Sequence, residues 1–545
     1  MKRLFFTVFV SLLTASAWCC TNLLVGKLAS TDGSTMVSYS ADSYSLFGEL
    51  YHWPAATYPE GALLDVYEWD TGKFLGQIPQ VKQTCNVIGN MNEYQLCIGE
   101  TTFTGREELI DTTGIMDYGS LIYITLQRAK TAREAISVIT GLVEKYGYYS
   151  SGESFSIVDK NEVWILEMVG KGPGRTGAVW VAVKIPDDCI SAHANQSRIH
   201  QFPLNDKENC LYSKDVISFA REKGYFSGKD KDFSFAKAYC PYDFGGLRFC
   251  EARVWTYFNK FSKDAGKWLD YAKGDNPDNI MPLYIKPDRK LCVKDIMTTM
   301  RDHYEGTYFD MTVDAGAGPF SSPTRFAPLT WKVDSVEYCN ERPIGTQQTG
   351  FTFVGQMRNS LPDEVGALFW FGVDDATFSV YTPMYASITQ TPECFRVGNG
   401  DLYHFSWTSS FWIHNWVANM AYMRYSQMAP DITAVQSELE NGFFEMQPLV
   451  EQKACDLLNK EKNQAISFLT NYSIKEAQYA FDTWKKLGER MLIKYMDGTV
   501  RKEENGKFKT NEYGKPSSPI RAGYSNSHYR MIVNDTGDKL KTWKD

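Results

Sequence analysis

A cysteine at position 20 constrains this chain of 545 residues more than any other feature. Met1-Lys2-Arg3 is a short basic segment, and Leu4 to Leu13 is an apolar stretch of signal-peptide length. Thr14 to Cys19 supplies small residues, with Ala17 and Cys19 at the −3 and −1 positions of a cleavage site. Cleavage there predicts a mature chain that begins Cys20-Thr21-Asn22. An amino-terminal cysteine carries a thiol and an amine on one residue. The amine, with an ordinary pKa near 8, accepts the thiol's proton directly or through a water. Asn22 to Gly26 then reads as an apolar strand, Ser30-Thr31-Asp32-Gly33-Ser34 as a turn, and Thr35 to Ser40 as the returning strand. The nucleophile thus opens a hairpin.

Two other uses of this segment fit less well. A lipid-attachment cysteine wants leucine or a similar residue at −3 and a small residue at −1, whereas Trp18 precedes Cys19. A thioether-linked lipid on Cys20 would also consume the attacking sulfur. About ten apolar residues are too few to cross a bilayer of roughly 30 Å. The expectation is an exported chain, periplasmic or extracellular after cleavage of residues 1–19.

The rest of the chain is that of a globular protein with ample core material, 14% of it aromatic. A net charge of −8 argues against a nucleic-acid partner or an anionic-membrane surface. No later segment approaches eighteen uninterrupted apolar residues, so no membrane span is expected in the mature chain. Of twelve cysteines, ten are spread from Cys85 to Cys455 with no CxxC pair, which is neither a disulfide scaffold nor a zinc site. Seven scattered histidines form no metal-binding cluster. No metal and no cofactor are expected.

Beyond the hairpin, Asp117 to Tyr146 carries apolar residues at helical spacing and predicts one helix ending at Gly147. Strands are predicted at 154–158, 162–167, 178–185, 351–357 and 366–373, and helical stretches around 212–223, 262–272 and 293–303. From Phe411 to Leu492 the pattern is mainly helical, including Ala434–Lys462 and Lys475–Tyr495. The tail after Asp497 is rich in Lys, Gly, Asn and Ser and reads as loosely packed. The expected organisation is a core over 20–400, a helical region over 401–497 and a tail over 498–545, all of the α+β class.

Several blocks carry a family resemblance. They are Cys20-Thr21-Asn22-Leu23-Leu24-Val25-Gly26-Lys27, Met91-Asn92-Glu93-Tyr94, Ile98-Gly99-Glu100-Thr101-Thr102 and Gly152-Glu153-Ser154-Phe155-Ser156-Ile157. Ser191-Ala192-His193-Ala194-Asn195-Gln196, Cys250-Glu251-Ala252-Arg253-Val254-Trp255 and Trp370-Phe371-Gly372-Val373-Asp374-Asp375 continue the series. In this order, over about 20–390, they resemble the dipeptidase A family of cysteine dipeptidases, in the N-terminal-nucleophile hydrolase superfamily. The resemblance implies a four-layer αββα sandwich and amide hydrolysis through an acyl-enzyme on Cys20.

It also implies roles for individual residues. Asp42 would orient the terminal amine, and Asn195 would offer its amide NH2 to the oxyanion. Arg253 would place a fixed positive charge near the nucleophile, favouring thiolate. A second oxyanion donor is expected from the strand running from Glu100 to Thr102. Glu100 is a candidate to hold a dipeptide's free ammonium. Tyr39 stands where wider-superfamily members often carry arginine; a phenol lacks the permanent charge and forked donors of a guanidinium. The leading function is an exported peptidase acting on dipeptides or short peptides, with oligomerisation open. The alternatives are an N-acyl amide acylase of the bile-salt or penicillin V type, and a surface binding protein with a blocked Cys20.

Overall fold

The computed structural model describes residues 20–326 and 328–543. The predicted signal segment, residues 1–19, lies outside the described residues. Two large antiparallel sheets dominate. The first runs, edge to edge, β14 (Tyr284–Ile285), β12 (Ile190–His193), β1 (Thr21–Val25), β2 (Thr35–Asp42), β17 (Thr349–Met357), β18 (Ala367–Val373) and β19 (Thr382–Tyr385). The second runs β13 (Cys210–Tyr212), β11 (Ala178–Ile185), β10 (Val163–Gly170), β9 (Gly152–Val158), β8 (Cys97–Phe103), β7 (Met91–Asn92), β6 (Val87–Ile88) and β3 (His52–Trp53). Short hairpins β4–β5 (Leu63–Tyr67, Phe74–Pro79), β15–β16 (Thr330–Val333, Val336–Cys339) and β20–β21 (Glu503–Glu504, Lys507–Phe508) stand apart from them.

The opening hairpin forms as its sequence dictates. Thr21 pairs with Ser40 and Val25 with Met36. In the turn, Asp32 Oδ1 accepts from the amide and hydroxyl of Ser34, and Gly33 takes a left-handed φ of 76°. Every residue of β1, β2, β17 and β18 is buried, because each strand is covered on both faces. On one face, β1 and β2 meet β8 and β9 of the other sheet. Gly99 permits that approach: a Cβ there would fall 2.2 Å from Asn22 Oδ1.

Side chains of β10 split by the period of two. Trp164, Leu166 and Met168 join the core under α1 (Tyr118–Leu126) and α2 (Ala132–Tyr146). Val163, Ile165 and Val169 join the main core with Leu23, Val37 and the first sheet. Beyond the first sheet pack further helices. α5 (Ala252–Phe261) meets β12, α7 (Val293–Met300) meets β2 and β17, and α9 (Ser410–Met423) meets β18. The long antiparallel-connected pair Tyr425–Leu458 and Lys462–Tyr495 packs on β19. This is a mixed α+β protein built on antiparallel sheets.

The single helix predicted over Asp117–Tyr146 is two. Asp117 caps α1 by accepting from the amides of Gly119 and Ser120, and the Thr131 side chain caps α2 by accepting from Glu134 N. Apolar periodicity runs through the Gln127–Thr131 break because Leu126 and Ala129 both face the same core. The predicted helix at 262–272 becomes a 3₁₀ segment, Lys263–Trp268, before a short α-helix from Leu269. After Asp497 the helix Asn526–Thr536 buries no residue. No helix among the described residues is long and apolar enough to cross a membrane.

Candidate active site

Cys20 immediately precedes β1, so hairpin pairing sets it against the end of β2. Its thiol is buried, and Sγ lies 3.7 Å from Tyr39 Oη. Tyr39 in turn hydrogen-bonds Glu100 Oε1, reaching across from the first sheet to β8 of the second. Asn22 Nδ2 donates to Glu100 O at 2.5 Å beside it, so the two sheets are tied at the nucleophile. Cys20, Tyr39, Asp42 and Glu100 line one cavity of about 120 Å³. Its far wall carries Tyr51, Trp69, Tyr118 and Tyr123.

Electrostatics here oppose spontaneous ionisation of the thiol. Burial pushes the Cys20 pKa well above the ordinary thiol range, and the nearby Glu100 and Asp42 carboxylates push the same way. The Asp42 backbone N–H and the Tyr39 hydroxyl favour the thiolate but do not win. Tyr39 is itself held protonated, by burial first. Deeper still, Glu153 lies against Glu100, and both are buried. Desolvation and the charge of Glu100 raise Glu153 well above the carboxylate range, and burial raises Glu100 as well.

The remaining residues singled out in the sequence fall around this centre in a definite order. Arg253, buried on α5, donates from Nη1 to Cys20 O at 2.6 Å and to Thr21 Oγ1 at 2.8 Å. Its Nη2 donates to Ala194 O at 3.1 Å and Asn195 Oδ1 at 2.9 Å. Arg253 therefore grips the nucleophile's backbone. Against the expected lowering, the thiol pKa is raised, by burial first and then by two carboxylates. Asn195 holds a left-handed φ of 62°, tolerable for asparagine, and its Nδ2 donates to Thr102 O at 2.7 Å. One amide proton of Asn195 is so engaged. Thr102 is not among the residues lining the cavity and donates from Oγ1 to Glu153 at 2.9 Å.

Asp42 lines the cavity, but its carboxylate is already well satisfied. Arg342 Nη2 donates at 2.7 Å, Thr349 Oγ1 at 2.7 Å and Ser40 Oγ at 3.1 Å. Glu100, the expected ammonium holder, is only 1% exposed and bonded to Tyr39. Sequence reasoning missed Glu153, Arg342, Tyr118 and Asp70. A glutamate opening the apolar strand GESFSIV was a readable signal for Glu153, since such a residue is buried and must find a partner. Asp70 and Arg342 had no such signal, because loops bring them in. Among the described residues, no group of three or more His, Cys, Asp or Glu is placed to hold a metal ion.

A profile of a family described as peptidase family C69 matches residues 19–438. Curated relatives align over most of their length. The chain is 25% identical over 427 residues to a probable dipeptidase of Latilactobacillus sakei, covering 74% of this chain and 81% of that one. It is 25% identical over 482 residues to dipeptidase A of Lactobacillus helveticus, covering 84% and 90%. It is 24% identical over 496 residues to probable dipeptidase B of Lactococcus lactis subsp. lactis (strain IL1403), covering 87% and 95%.

Proposed function

The chain belongs to peptidase family C69, and from that premise we propose that it is a dipeptidase whose nucleophile is Cys20 at a mature amino terminus. The observation that carries this reading is the Cys20 thiol, set at the start of β1 inside a cavity lined by Tyr39, Asp42 and Glu100. With helices outside each of two facing sheets, the architecture is consistent with the four-layer αββα plan of N-terminal-nucleophile hydrolases.

In this reading export removes residues 1–19 and frees the amine of Cys20. A thiol whose pKa is raised by burial stays protonated at rest, so it needs a base at the moment of attack. The α-amine of the same residue, held by Asp42, takes that proton. Sγ bonds to the substrate carbonyl carbon, and the oxyanion accepts hydrogen bonds from the second amide N–H of Asn195 and from a backbone N–H of β8. The carbon–nitrogen bond then breaks as the ammonium returns its proton to the leaving amine. Water hydrolyses the thioester and frees the first amino acid. The dipeptidase names of the relatives support a peptide substrate over the N-acyl amide of an acylase.

The test is direct. Purified mature protein is mixed with a dipeptide panel, quenched in acid and weighed intact. The expected result is an amino terminus at Cys20 and a transient mass increase equal to the first residue, absent in Cys20→Ala. Hydrolysis by Cys20→Ala at a rate near that of the parent would sink the assignment.

A further inference from the structure

In an α-dipeptide the ammonium nitrogen lies two bonds from the carbonyl carbon under attack. A carboxylate that recognises it must therefore face the same cavity as Cys20. Three carboxylates do so: Asp42, Glu100 and Asp70. Asp42 already accepts from Arg342, Thr349 and Ser40. Glu100 accepts from Tyr39 and lies against Glu153 in the interior. Asp70 remains. Exposed as a residue, it accepts a hydrogen bond of 2.8 Å from Tyr118 Oη, and both residues line the cavity.

We propose that Asp70 binds the α-ammonium group of the substrate's first residue, making a free amino terminus the recognition requirement of this site. The proposal rests on the dipeptidase reading and deepens it. Tyr51, Trp69 and Tyr123 stand beside Asp70 with ring centroids 4.5–6.0 Å apart, presenting aromatic surface to an ammonium and to an apolar first side chain. Among the described residues, no Lys, Arg or His forms an ion pair with Asp70, nor with the neighbouring Glu68, Glu100 or Asp117. Desolvation, then the charges of Glu68, Glu100 and Asp117, push the Asp70 carboxyl up to about 8 against the Tyr118 hydrogen bond. The carboxyl therefore holds a proton near neutrality, and an arriving ammonium favours its ionised form.

The experiment compares a dipeptide with its des-amino analogue, which keeps the scissile amide and loses only the ammonium. For the parent enzyme kcat/KM is expected to favour the dipeptide. In Asp70→Asn that preference ratio is expected to fall about tenfold to a hundredfold, the scale of one hydrogen bond to a charged group. Asp70→Glu, which keeps the charge on a longer stem, should recover part of it. A melting curve on each variant confirms the fold. If the parent prefers the dipeptide and Asp70→Asn keeps the full ratio, the ammonium is held elsewhere and only this proposal falls. If the parent cleaves both substrates equally, no ammonium subsite operates and the proposal falls while peptide hydrolysis stands. If the parent cleaves neither, the dipeptidase reading fails and takes the proposal with it.

Discussion

Arg253 Nη1 meets the carbonyl oxygen of Cys20 at 2.6 Å, across 233 positions of sequence, and leaves the sulfur to Tyr39. The guanidinium holds the nucleophile by its backbone, together with Thr21 Oγ1, Ala194 O and Asn195 Oδ1. A single planar, permanently charged group thus fixes both Cys20 and Asn195. Neither methionine nor lysine reproduces the fork.

Arg253→Met should leave several buried oxygens without donors. The expected loss is about 3 kcal/mol or more in stability, since each unpaired buried acceptor costs roughly 1–3 kcal/mol. Arg253→Lys should retain less than half of that loss's recovery, because one ammonium cannot reach all four oxygens. Chemical denaturation of both variants measures this. A Lys variant as stable as the parent would show that charge, not geometry, is what the site needs.

Tyr39→Phe isolates the hydroxyl between Cys20 and Glu100. Without it Glu100 loses a donor that favours its charged form, so its carboxyl binds a proton more readily. The thiolate also loses one stabilising hydrogen bond. The expected outcome is a kcat lower by about tenfold, the worth of one such bond at roughly 1.5 kcal/mol, with little change in KM. Steady-state kinetics over pH 5–9 checks it; unchanged turnover would make the tyrosine a packing residue among Phe351 and Phe353.

Much of the scaffold was legible in the sequence and much of the site was not, for reasons visible in particular residues. The β1–β2 hairpin could be read because Asp32 and Gly33 mark a local turn between apolar runs. The break between α1 and α2 could not, because Gln127–Thr131 interrupts the helix while the apolar pattern continues. The Cys, Asn and Arg of the site sit in recognisable blocks. Their partners do not: Arg342 reaches Asp42 over 300 positions, and Glu153 meets Glu100 only because β8 pairs with β9. The family resemblance placed Arg253 near the nucleophile, but only the structure shows that it bonds the backbone of Cys20.

Asn195 allows catalysis and structure to be separated by choice of substitution. Its left-handed φ of 62° strains alanine but suits glycine. Asn195→Gly and Asn195→Ala both remove the amide, so both should lower kcat by about a hundredfold to a thousandfold if that amide meets the oxyanion. Alanine should melt lower than glycine, by the backbone cost of about 1 kcal/mol. Equal and modest kcat losses, below tenfold in both, would assign the oxyanion donor elsewhere and leave Asn195 as the link from Arg253 to Thr102.

His193 sets an acid limit on the fold. It pairs in register with Asn22 of β1, and its two ring nitrogens meet Thr101 Oγ1 and Ser156 Oγ, each at 2.7 Å. Burial first, then the charge of Arg198, depresses its pKa to about 3. In the unfolded chain an ordinary histidine titrates near 6.5. Between those values the unfolded state binds the extra proton, so stability falls as pH drops from about 6.5 to about 3 and is fully present above that window. Over the whole window the contribution is on the order of 5 kcal/mol, taking 1.36 kcal/mol per unit. His193→Gln, which keeps a donor and an acceptor but does not titrate, should be less stable than the parent at pH 8. Its stability should nevertheless decline less steeply between pH 6.5 and 4.5. Urea unfolding of both proteins at half-unit steps of pH measures the two slopes, and parallel slopes would remove His193 from the acid response.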